Sequence, residues 1–62
     1  MAREPRLSLE EWRLVQELLQ QELHELPSEI HHSATYEMRE ELRARLVTVE
    51  RLLARIEQAL SA

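Results

Sequence analysis

The sequence predicts an all-α protein in which two helices form an antiparallel hairpin. Residues that favour helices dominate, and glycine, asparagine and aspartate, which favour turns, are absent. Apolar residues also recur at helical spacing in two long segments. In the second segment they step by four and three, as in a coiled coil, through Leu42, Leu46, Val49, Leu53, Ile56 and Leu60. A lone helix cannot bury this seam, so another helix must cover it.

The first helix is predicted from about residue 9 to residue 26. Ser8 and Glu11 have the spacing of a capping box, in which each side chain accepts a hydrogen bond from the other residue's amide. Pro27 is expected to end or kink this helix, because it has no amide to donate to the Leu23 carbonyl. The stripe that we expect to be buried contains Leu9, Trp12, Val15, Leu18, Leu19, Leu23 and Leu26.

The connector is predicted at about 27–35 and the second helix at about 36–60, within a single domain, 1–62. Thr35 is expected to cap the second helix, with Ser33 as the alternative. Because no glycine is available for a left-handed cap, side-chain hydrogen bonds from Ser33, Thr35 or a histidine must hold the turn. A neutral histidine ring in such a bond would lose its fit on protonation, with a modest loss of stability between about pH 7 and 5. We favour the other outcome, in which one ring caps backbone groups in the turn, the other is exposed, and neither makes stability depend on pH.

A reversal at residues 27–34 would place Trp12 opposite Val49 and Leu19 opposite Leu42. The first helix would then span about 25 Å and the second about 37 Å. The end of the second helix would overhang its partner, and a second copy would cover it in a four-helix bundle or a higher homo-oligomer. The predicted core and interface residues are Trp12, Leu19, Leu23, Leu42, Leu46, Val49, Leu53, Ile56 and Leu60.

The composition disfavours several classes of function. The chain has no cysteine, aspartate or glycine-rich phosphate loop, so we expect no enzyme and no cofactor. A net charge of -4 and the absence of lysine disfavour nucleic-acid binding. No apolar run approaches the roughly 20 residues of a membrane span, and no signal peptide is visible, so we expect a cytoplasmic protein without a membrane partner.

One cluster of residues suggests metal chemistry. Its candidate ligands are Glu25, Glu29, His31 and His32. Glu29 and His32 have the Glu-x-x-His spacing of di-iron carboxylate bundles, so a metal-binding four-helix bundle made from two hairpins is the alternative function. Helical phase argues against this function, since Glu25 and His32 fall at outer c positions and Glu29 at g. The sequence therefore favours a solvated acidic face next to connector histidines.

The block from Leu26 to Thr35, with Glu29-Ile30-His31-His32 at its centre and an Arg/Glu/Leu-rich helix after it, resembles short uncharacterised bacterial helical-hairpin proteins. The resemblance extends from residue 26 to the C-terminus and implies a helical hairpin of bacterial origin, but no activity. The function that we predict is a non-enzymatic interaction or oligomerisation module. Its partner would be a second copy, or another helical protein.

Overall fold

The computed structural model describes residues 6–61 and contains two helices joined by a short connector. Helix α1 runs from Leu9 to His31 and helix α2 from Tyr36 to Ser61. They pack against each other, and an ion pair between Glu22 and Arg45 joins them. The predicted all-helical hairpin is therefore confirmed.

Helix α1 begins with the predicted capping box. The Glu11 amide donates to Ser8 Oγ at 3.1 Å, and the Ser8 amide donates to Glu11 Oε1 at 2.8 Å. These bonds satisfy two of the amides that a helix N-terminus leaves unpaired. The Ser8 amide, and then the Ser8 hydroxyl, lower the pKa of the Glu11 carboxyl below its ordinary value of 4.5.

The sequence predicted that α1 would end near residue 26 or be kinked at Pro27, whereas in the structure α1 continues through Pro27 to His31. The connector is therefore 32–35 and not 27–35. A proline inside a helix costs about 3 kcal/mol. Leu26 is completely buried and Ile30, one turn later on the same side, is half-buried. Burial of a large aliphatic side chain contributes about 1.5–3 kcal/mol, so burying these two residues offsets the cost of Pro27.

Side-chain hydrogen bonds hold the connector, as predicted. Ser33 Oγ donates to the Ile30 carbonyl at 2.7 Å, and His32 Nδ1 lies 2.9 Å from the Ser28 carbonyl oxygen. Thr35 caps α2, since its Oγ1 accepts from the Met38 amide at 3.1 Å. No residue from 6 to 61 has a positive φ, so the chain reverses without a left-handed cap.

The longer α1 changes how the two helices align. Glu22 pairs with Arg45, whereas the predicted register placed Glu22 opposite Arg39. The register is thus displaced by about six residues along α2, because the turn lies closer to the C-terminus than predicted. By the same displacement, Trp12 lies at the level of Arg55 and Ile56 rather than at the level of Val49.

The predicted overhang of α2 is wrong for the same reason. Helix α1 has 23 residues and α2 has 26, so the two are nearly equal in length. Leu53 and Ile56 are buried within the single chain, as are Val49 and Leu26. The other six predicted core positions are half-buried: Trp12, Leu19, Leu23, Leu42, Leu46 and Leu60. Helix α1 of the same chain therefore covers the apolar seam of α2.

We expect Leu53→Ala to lower the free energy of unfolding by about 2–5 kcal/mol, as large-to-small changes in a core do. Leu53 is only 5 % exposed, so its truncation leaves a cavity between the helices. Val47→Ala is the control, because Val47 is 44 % exposed on the same helix. Urea melts followed by circular dichroism measure both. Equal losses in the two variants would contradict the burial that the structure gives to Leu53.

The capping box predicts a contribution of Glu11 that depends on pH. A carboxyl whose pKa is lowered by folding stabilises the folded state above its unfolded pKa, and this stability is lost as the pH falls through the folded pKa. We therefore expect wild type to lose more stability than Glu11→Ala as the pH falls from 6 to 3. Glu10→Ala, a change of the same type one residue earlier, is the matched control, because Glu10 makes neither bond of the capping box. Parallel curves for Glu11→Ala and wild type would contradict the assignment.

Candidate functional site

Three exposed leucines on one side of the hairpin form what we call the leucine face: Leu14, Leu18 and Leu52. Leu18 precedes Glu22 by about one turn of α1, and Leu52 follows Arg45 by about two turns of α2. Residues separated by whole turns lie on the same side of a helix. Because Glu22 and Arg45 meet, Leu18 and Leu52 lie on the face of the hairpin that carries this ion pair. Leu14, one turn before Leu18, is rotated by about 80° from Glu22 and lies at the outer edge of this face.

The leucine face is also compact along the length of the hairpin. Leu52 lies seven residues beyond Arg45, and the residue seven positions before Glu22 is Val15. Leu52 therefore lies at the level of Val15, between Leu14 and Leu18 on the neighbouring helix. The three leucines form one cluster in the half of the hairpin that is distant from the connector.

Sequence reasoning missed this cluster. It placed Leu18 in the buried stripe and gave no role to Leu14, whereas both are 55 % exposed. Leu9, also expected to be buried, is 54 % exposed on the opposite side of α1. The width of the apolar stripe on α1 could have indicated that some of its leucines are exposed. Helix α2 covers only one side of α1, so an apolar stripe that extends beyond that side leaves leucines in contact with solvent.

Towards the connector, the same side of α1 becomes acidic. Glu22, Glu25 and Glu29 follow Leu18 by 4, 7 and 11 residues, which keeps them on one side of the helix. With Arg45, Ser28 and Leu42 they line an open groove. One side of the hairpin thus has an apolar half distant from the connector and an acidic half near it.

The ion pair between Glu22 and Arg45, at the centre of this side, connects α1 to α2. Arg45 Nε donates to Glu22 Oε1 at 2.9 Å. The hydrogen bond and charge of Glu22 raise the pKa of the Arg45 guanidinium, and the charge of Glu29 adds to this effect. A second ion pair lies within α2, where Arg43 Nη1 is 3.1 Å from Glu40 Oε1.

The candidate metal ligands do not come together. Glu25 and Glu29 line the acidic groove, whereas His31 lies in a separate shallow groove beside Arg39 and Arg43, whose positive charges disfavour a cation. The His31 and His32 rings contact each other edge to face, with centroids 5.0 Å apart. Within residues 6–61, no group of three or more histidine and carboxylate side chains is arranged to hold a metal ion.

His32 has a structural role at the end of α1. Its Nδ1 lies 2.9 Å from the Ser28 carbonyl oxygen. Since a carbonyl oxygen can only accept, Nδ1 is the donor. Both the neutral ring with its proton on Nδ1 and the protonated ring can donate in this way. Protonation therefore keeps this bond, and the reason for expecting acid to weaken the connector does not apply to His32.

Comparisons with protein-family models, curated proteins and solved structures gave no match to this chain. The resemblance to bacterial helical-hairpin proteins therefore stays a prediction. Over the part of the chain that the structure describes, neither helix combines the length and apolar character that crossing a membrane requires.

Proposed function

We propose that this chain is a non-enzymatic interaction module that binds a second copy of itself through the leucine face to form a four-helix bundle. The observation that carries the proposal is the exposure of Leu14, Leu18 and Leu52 in one cluster on one side of the hairpin. Clustered exposed apolar residues rimmed by polar ones are typical of interaction sites. Glu22, Glu25 and Arg45 provide such a rim here.

The size of the core supports association. Only Leu26, Val49, Leu53 and Ile56 are buried in residues 6–61. Domains of this size bury only about 60 % of their unfolded surface and are marginally stable unless disulfides, metals or oligomerisation add to the core. The chain has no cysteine, which leaves oligomerisation as the remedy that the leucine face supports.

A second copy fits the leucine face better than a partner of different chemistry. A two-fold interface brings the same patch of each subunit together, so the patch must be complementary to itself. An apolar cluster at one level meets this condition, since leucines pack well on leucines.

The proposed bundle differs from the one that the sequence suggested. The seam residues Leu53 and Ile56 were expected to reach the second copy, but α1 buries them. The proposed contact is therefore made by the leucines that the hairpin leaves exposed. In this arrangement folding of the hairpin and its association are coupled by mass action, so stability should rise with protein concentration.

Sedimentation equilibrium at micromolar concentration tests the proposal. We expect wild type to be a dimer and Leu18→Gln to weaken association at least tenfold, because a buried polar side chain without partners would replace an apolar contact. Leu9→Gln is the matched control. Leu9 and Leu18 are equally exposed, at 54 % and 55 %, on opposite sides of the same helix.

A well-folded wild-type monomer throughout the micromolar range would overturn self-association. Equal weakening by Leu18→Gln and Leu9→Gln would show that the leucine face is not the contact. Circular dichroism of each variant at the same concentrations separates loss of association from loss of helix.

A further inference from the structure

The charge on the leucine-face side of the hairpin is distributed unevenly, and this restricts how two copies can pack. The side of α1 that begins with Leu14 and Leu18 continues as Glu22, Glu25 and Glu29 towards the connector. Arg45 is the cation that pairs with Glu22 in this half. The half near the connector therefore carries a net negative charge, whereas the half with the leucines is apolar.

We infer that the two copies pack antiparallel, with their two-fold axis through the leucine cluster and their acidic halves at opposite ends of the bundle. This inference rests on the proposed self-association. It concerns the orientation of the second copy, which the exposure of the leucines alone leaves open, because they meet in both orientations.

In a parallel dimer, with both connectors at one end, the acidic halves of the two copies would lie at the same level. In such a dimer each α1 faces the partner's α2, and the two α1 helices lie across the diagonal of the bundle, about 11–14 Å apart when facing helices are 8–10 Å apart. This distance is less than two Debye lengths at physiological ionic strength. Six glutamates, Glu22, Glu25 and Glu29 from each copy, would then share one end of the bundle with two copies of Arg45. Like charges at this separation are not fully screened and oppose association.

In an antiparallel dimer the same glutamates are far apart. Glu25 lies ten residues from Val15, the level of the leucine cluster, so the two copies of Glu25 are separated by about 30 Å along the bundle. This distance is several Debye lengths. Each Glu25 also extends beyond the first turn of the partner's α1, where the positive end of the helix dipole favours negative charge.

One glutamate lies within the overlap in both orientations. Glu11 is on the leucine side of α1, seven residues before Leu18. Its carboxylate accepts a hydrogen bond from the Ser8 amide of its own chain. In the antiparallel dimer Glu11 lies about 5 Å along the bundle from the partner's Glu22, and in a parallel dimer it lies level with the partner's Glu11, so it adds like-charge contacts to both arrangements. The difference between them comes from Glu25 and Glu29, which lie level with their own copies only in the parallel dimer.

Labels on single cysteines measure the orientation directly, because the chain has no cysteine of its own. The first experiment places spin labels on Ala34→Cys, an exposed connector position. In the antiparallel dimer the two labels should be about 55 Å apart, and in a parallel dimer about 25 Å or less. Double electron–electron resonance covers both distances.

In a second experiment the antiparallel dimer gives the shorter distance and the parallel dimer the longer one. Ala34→Cys chains with a donor dye are mixed with Ser61→Cys chains that carry an acceptor, and energy transfer is recorded. The antiparallel dimer brings these positions to about 20 Å, whereas a parallel dimer holds them about 40 Å apart. Both positions are exposed and outside the leucine face, so labelling should preserve the hairpin; circular dichroism verifies this.

A long Ala34–Ala34 distance together with strong transfer from Ala34 to Ser61 is the expected result. A short Ala34–Ala34 distance with weak transfer overturns the antiparallel orientation and leaves the dimer intact. If sedimentation shows only monomer and neither experiment detects a distance between chains, the proposed self-association fails, and the orientation fails with it.

Discussion

The alignment of the two helices depends on where α1 ends, and four hydrogen bonds near the connector fix this point. The His32 amide donates to the Ser28 carbonyl at 3.0 Å and the Ser33 amide to the Ile30 carbonyl at 3.3 Å. The side chains of His32 and Ser33 lie within hydrogen-bond distance of the same two carbonyls. These contacts set the length of α1 and the position of the turn. The position of the turn then determines the register, that is, which residue of α2 lies beside each residue of α1.

This register determines which apolar residues are covered. With Glu22 level with Arg45, helix α1 covers Val49, Leu53 and Ile56, so the hairpin satisfies its own seam. Leu18 and Leu52 then lie beside the contact between the helices and not within it. The register thus separates one chain's apolar residues into a small internal core and an external cluster. The proposed association depends on this external cluster.

The features that the sequence predicted correctly depend on residues close together in the chain. Ser8 and Glu11 form the capping box, Thr35 caps α2, and Ser33 holds the connector. Each depends on spacing within about one turn, where side-chain chemistry determines the backbone. The end of α1 could not be predicted in this way. The local effect of Pro27 opposes the burial of Leu26 and Ile30, and burial depends on a helix that is distant in sequence.

The candidate site was harder to predict than the fold because it depends on register. Leu18 looks like a core residue when α1 is considered alone, and only the position of α2 shows that it is exposed. The metal candidates show the same effect, since Glu29 and His32 are neighbours in sequence but the structure assigns them to different surroundings. Helical phase placed Glu25, Glu29 and His32 at outer positions, and all three side chains are exposed. It gave no information about the outward leucines.

The absence of positive φ angles between residues 6 and 61 has a consequence for how such a chain can change over evolutionary time. Each residue of an α-helix rotates the chain by about 100°. One residue gained or lost between Glu22 and the connector would therefore turn Leu14 and Leu18 away from Leu52, with no flexible glycine to absorb the rotation. Substitutions on the outer surface leave this phase unchanged. The lineage of this hairpin should consequently tolerate changes of residue type far more readily than changes of length.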